Sequence, residues 1–158
     1  MQLGTIVGKT STGGFSFEAS GKVRKADYVS VKDPEGIWVL ASIGGIEADG
    51  NKIRAEAEVV GYRDSRGFLK MPKMPFPSGT PVFPAEPKFI RETIGLKDSG
   101  AYIGLLDGYD LKVKLPIEQL VKKHVSVLAK TGAGKSYLIG VLMEEMAEHG
   151  VPVVIIDP

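Results

Sequence analysis

Between Ile53 and Val59 the chain alternates strictly, with Ile53, Ala55, Ala57 and Val59 apolar and Arg54, Glu56 and Glu58 charged. A period of two puts the apolar set on one face of a strand and the charges on the other, so the pattern predicts a strand with one buried side and one wet side. Shorter runs of β-branched and aromatic residues at 5–7, 15–17, 28–31, 37–43 and 81–83 read the same way. Gly13-Gly14, Gly44-Gly45, Asp49-Gly50 and Arg66-Gly67 offer the reversals between them. Sixteen of the twenty glycines precede residue 110, as expected where turns are frequent. Five or six short strands of this kind predict an all-β unit closed into a small barrel.

The pattern then changes. Six of the ten prolines fall between Pro72 and Pro87, where missing amide hydrogens forbid a central strand, so this segment is expected to be the barrel's final edge strand and its exit. Further on, Val125, Ser126, Val127 and Leu128 predict a short buried strand that runs into Thr131-Gly132-Ala133-Gly134-Lys135-Ser136. Leu138, Leu142 and Met146 recur every four residues beside Ile139 and Met143, which predicts a helix with one broad apolar face; Glu144, Glu145 and Glu148 line the other. Gly150 supplies a C-terminal cap, Pro152 prevents continuation, and residues 153–156 predict another aliphatic strand. Strand, turn, helix and strand form the beginning of a right-handed βαβ unit. Two parallel strands cannot complete a core, so this second domain is expected to be incomplete. The expected division gives an all-β barrel over residues 1–92 and the start of an α/β domain over residues 93–158.

Composition narrows the function. The chain has 158 residues, 43% of them hydrophobic and 25% charged, which is globular rather than disordered or fibrous. Its longest aliphatic run, at 153–156, is far too short to span a bilayer, and the N-terminus lacks a signal-peptide layout, so a soluble, cytoplasmic protein with no membrane contact is expected. The absence of cysteine excludes a disulfide framework, a thiolate metal site and a cysteine nucleophile. Amides are also scarce, with Gln2, Asn51 and Gln119 the only ones, and this depletion of heat-labile residues matches thermophilic proteins. The 20 basic and 19 acidic side chains nearly cancel, which predicts weak direct DNA affinity, because counterion release needs an excess of positive charge.

One motif carries chemistry. Residues 129–136 fit the phosphate-binding loop pattern, with Gly134-Lys135-Ser136 in place and Ala129 where the strict form has its first glycine. Small residues let successive backbone amides curl round a phosphate, and a bulky side chain at Gly132 or Gly134 would block that approach. The helix that follows adds unpaired amides and its positive dipole end. Thr131, Gly132, Ala133 and Gly134 are therefore candidate backbone ligands of ATP, Lys135 the catalytic bridge between the β- and γ-phosphates, and Ser136 the Mg2+ ligand. Asp157, ending an aliphatic strand before proline, is better read as turn chemistry than as a magnesium ligand. Gly140, inside the helix, is expected to mark close helix-to-sheet packing.

The remaining candidates read as structural. His124 and His149 lack metal-ligand spacing, and Lys122-Lys123-His124 reads as a solvated turn. Trp38, Phe15, Phe17 and Tyr28 sit on predicted strands and are expected in the core rather than as base-stacking platforms. Phe76 and Phe83, among prolines, are candidates to face a partner protein.

The order of these parts, with His124-Val-Ser-Val-Leu-Ala-Lys-Thr-Gly-Ala-Gly-Lys-Ser136 and the ending Val153-Val-Ile-Ile-Asp-Pro158, resembles the HerA-type archaeal DNA translocases of the HerA and FtsK superfamily over essentially the whole chain. The resemblance implies an N-terminal barrel of the HAS type followed by the start of a RecA-like P-loop core. It also implies a homo-hexameric, ATP-driven translocase or helicase that acts on double-stranded DNA with the NurA nuclease in end resection and double-strand break repair, the nuclease docking on the barrel. Only residues 131–136 match the family's site, so only Thr131, Gly132, Ala133, Gly134, Lys135 and Ser136 take over its roles. In that family the acidic motif that holds magnesium lies much later, which argues against Asp157. Because that motif, the catalytic glutamate, the bridging arginine and the pore loops are missing here, residues 1–158 are expected to be inactive alone. Two other readings share these features: a secretion or rotary ATPase subunit with barrel and loop, and a docking module in which the loop is a remnant.

Overall fold

The structure, a computed structural model, describes residues 1–156; the expectation for Asp157 falls outside them. The chain divides into two compact units, Met1–Gly95 and a second from Leu96 onward.

The first unit is built from seven strands, β1 (Gly4–Val7), β2 (Gly14–Ala19), β3 (Tyr28–Lys32), β4 (Trp38–Asp49), β5 (Lys52–Arg63), β6 (Leu69–Lys70) and β7 (Pro81–Pro84). Six of them close a ring in the order β1, β7, β3, β4, β5, β2 and back to β1, every pairing antiparallel; β6 adds only to β5. The predicted alternation holds at the centre of β5, while Val59 is half-buried and Ile53, at the strand's start, is exposed. Ala55 and Ala57 are buried between exposed Arg54, Glu56 and Glu58. Register then pairs large with small: Phe15 lies opposite Ala57 and Phe17 opposite Ala55, so two aromatic rings fit a narrow interior. Ile6, Val29, Val31, Val39, Ile43 and Val82 fill the rest.

Three expectations for this unit change. Gly44-Gly45 is not a reversal: β4 runs straight through it with a register shift between Ile43 and Gly45, and the chain turns only at Asp49-Gly50. A bulge adds twist and curvature that help a six-stranded sheet close. Nor is β7 an edge. It pairs with β1 on one side and β3 on the other, and its prolines stand at its first and last positions, so its interior amides remain available to the ladder. Finally, Phe76 does not face outward. It is 1% exposed and meets Phe15 edge-on at 5.2 Å, so the proline-rich segment plugs the barrel.

Helix α1 (Pro87–Ile94) has no counterpart among the predicted elements, although its punctuation is present: Pro87 at the start and Gly95, with φ 81°, as the left-handed C-cap. It packs on β4 and β5 and buries Ile90 and Thr93. Arg63 fastens its end, donating from Nε to the Glu92 carbonyl at 2.7 Å and from Nη1 to the Gly67 carbonyl.

The second unit holds a hairpin, β8 (Ala101–Leu105) with β9 (Lys112–Leu115), then α2 (Ile117–Lys122) and α3 (Lys135–Glu148). The predicted βαβ unit is absent among the described residues. Residues 125–128 and 153–156 are not strands, and Val125, Leu128, Val153, Val154, Ile155 and Ile156 are exposed. Two four-residue strands paired only with each other would leave both outer edges open and one face uncovered, so pairing gains too little to order them. α3 packs instead on β8, where the Glu145 carboxylate accepts the Tyr102 amide at 2.8 Å. Glu145 therefore belongs to the packed side of the helix rather than to its solvated face. Nothing lies within 4 Å of a Cβ built at Gly140, so tight packing does not account for that glycine.

Candidate functional site

α3 begins at Lys135, and its cap is Gly134 at φ 86°, ψ 16°. Gly132 is also left-handed at φ 82°. Between them Ala133 donates its amide to the Lys130 carbonyl at 3.1 Å, which closes the turn. Two left-handed residues this close would strain any side chain, and that is the local reason for glycine at both positions. A Cβ built at either would meet no protein atom within 4 Å. Backbone strain, and no protein neighbour, therefore accounts for both glycines.

The helix start is bare. No side chain caps it, and no acidic residue stands in its first turn. The first-turn amides lack intrahelical acceptors, as at any helix N-terminus, and the dipole's positive end lies there. Residues 129–132 and 134–137 line an open depression of about 490 Å3, a volume suited to a small ligand. No acidic side chain is among its lining residues. Thr131, Gly132, Ala133, Gly134, Lys135 and Ser136 are therefore contiguous and all exposed. Sequence reasoning missed Tyr137, which lines the same depression; its signal was an aromatic residue placed one position past the loop, off the apolar stripe of the helix.

The other candidates are dispersed. His124 and His149 are exposed, and a His149 ring nitrogen lies 2.7 Å from the Glu145 carbonyl. Lys122 pairs with Glu118 one turn back. Phe15 and Phe17 are core, as expected. Trp38 is not: it is 41% exposed, edge-on to Phe83 at 5.8 Å, with the Lys32 ammonium 5.1 Å from its ring centroid. Its position at the first residue of β4, facing away from the interior row of Val39 and Ala41, explains the difference. Together with Phe83 and Phe89 it lines an apolar groove of about 780 Å3 on the first unit.

Comparison with known proteins bears on the family. The family described as "Helicase HerA, central domain" matches residues 101–158. The "Probable DNA double-strand break repair helicase HerA" of Methanocaldococcus jannaschii is 35% identical over 164 residues, covering the whole of this chain and 31% of that protein. The chain belongs to the HerA-type helicase family. The "DNA double-strand break repair helicase HerA" of Pyrococcus furiosus is 28% identical across 91% of this HerA-family chain and 31% of its own length. That of Saccharolobus solfataricus is 34% identical across 66% of the chain and 21% of its own length. The chain thus spans about a third or less of these HerA relatives.

Proposed function

We propose that this chain is part of an ATP-driven translocase or helicase acting on double-stranded DNA during end resection and double-strand break repair. The observation that carries this is the loop at the start of α3: two left-handed glycines with open space where their side chains would be, followed by Lys135 and Ser136 on an uncapped helix start. Backbone amides from Thr131 to Gly134 would hold the triphosphate of ATP, Lys135 would offset charge on its outer phosphates, and Ser136 would bind its Mg2+. Bound MgATP would supply the phosphoryl group whose transfer to water drives the motor. The segments at 125–128 and 153–156, apolar yet exposed, fit strands of a RecA-like sheet whose other members come from further chain.

In this reading the complete protein is a homo-hexameric ring, and the barrel docks a NurA-type nuclease. The groove at Trp38, Phe83 and Phe89 is an apolar surface available for that contact. Residues 1–158 alone do not turn over ATP, because the depression offers no carboxylate to activate water. The test is an ATPase assay with linear double-stranded DNA. Lys135→Ala in the full-length protein should lower turnover by roughly 10²–10³-fold, and the 158-residue chain should give none. Full-length turnover that is indifferent to Lys135→Ala would sink the assignment.

A further inference from the structure

We propose that Tyr137 is the nucleoside-contacting residue of this site, its ring forming a face against which the base and sugar of a nucleoside triphosphate pack. This rests on the reading of residues 131–136 as a triphosphate loop and adds selectivity to it: the loop grips phosphates, and Tyr137 distinguishes a nucleotide from a bare polyphosphate.

Tyr137 is the third residue of α3. Side chains on a helix lean toward its N-terminus and cover the preceding turn, which here is the loop itself. Tyr137 accordingly lines the same depression as Thr131, Gly132, Gly134 and Lys135. It has no structural employment there. It is 79% exposed, and at 100° per residue it falls well away from the stripe of Leu138, Leu142 and Met146 that accompanies packing on β8. Among the described residues it makes no aromatic contact and no hydrogen bond. An aromatic side chain normally buries 150–250 Å2, and one placed beside a phosphate loop gains part of that burial when a nucleoside packs on it. Tyrosine has the chemistry for such a contact, since its ring face is apolar and tolerant of any base while its hydroxyl stays in water. No acidic side chain in the depression opposes the approach of a triphosphate.

The experiment is calorimetric titration of the full-length protein with MgATP, MgGTP and magnesium tripolyphosphate. Tyr137→Ala should weaken both nucleotides by roughly 5- to 150-fold and leave tripolyphosphate unchanged, while Tyr137→Phe should retain nucleotide affinity. Unchanged nucleotide affinity in Tyr137→Ala, or an equal loss for tripolyphosphate, overturns the inference. Lys135→Ala separates the two levels. If it weakens all three ligands while Tyr137→Ala weakens none, only the role of Tyr137 fails. If it weakens none, the loop reading fails and takes this one with it.

Discussion

Gly95 and Gly36 share a backbone conformation, φ 81° in both, and differ in surroundings. A Cβ at Gly36 would meet nothing within 4 Å, whereas one at Gly95 would collide with Arg63 Nη2. Arg63 is flexible in principle, but its guanidinium is held by the carbonyls of Glu92 and Gly67 and can yield only by giving up those bonds. Gly36→Ala should therefore cost about 1 kcal/mol, the left-handed strain alone. Gly95→Ala should cost about 1 kcal/mol more, for the lost hydrogen bonds. Denaturant unfolding of both variants checks the difference, and equal losses would show that Arg63 does not fasten α1. The same contrast explains what could be read beforehand. A glycine's position is visible in the sequence; whether it answers to backbone strain alone, as at Gly36, Gly132 and Gly134, or also to a neighbour, as at Gly95, is not.

Among the elements, the proline-rich stretch is where local rules and final structure diverge most. Its prolines correctly mark an irregular path, yet the inference that β7 must therefore be an edge fails, because the ring closes through it. Phe76 and Phe68 make the consequence measurable. Phe76 is 1% exposed inside the barrel and Phe68 is 62% exposed beside β6. Phe76→Ala should destabilise by about 3–5 kcal/mol, the cost of an aromatic-sized cavity. Phe68→Ala should stay within about 0.5 kcal/mol. Thermal unfolding compares them, and similar losses would remove Phe76 from its role as the plug. In α3, periodicity announces the helix and Gly150 its end: the Gly150 amide bonds the Ala147 carbonyl and the Val151 amide the Met146 carbonyl. What periodicity cannot supply is the partner, so it groups Glu145 with the solvated residues although that carboxylate receives the Tyr102 amide.

For the whole molecule, the two units differ in how much each buries. The barrel has a continuous core from Ile6 to Val82, while in the second unit only Gly100 and Ala101 are buried among the described residues. Amides of β1 to β5 should thus exchange with deuterium at least about a hundred-fold more slowly than those of β8 and β9, since protection follows the local opening free energy. Equal protection by mass spectrometry would contradict this account. The relatives make the asymmetry intelligible, because the family match begins at residue 101 and the chain spans 31% of the Methanocaldococcus jannaschii protein. By itself the sequence determined the alternating faces of the barrel strands, the helix α3 and the glycine turn before it, because period and turn chemistry act over a few residues. Only the tertiary structure decided that the barrel closes through β7, that Phe76 lies inside, that Trp38 and Tyr137 stay in solvent, and that residues 125–128 and 153–156 form no sheet. Those outcomes depend on which distant surfaces are present to meet, and no local pattern encodes a partner.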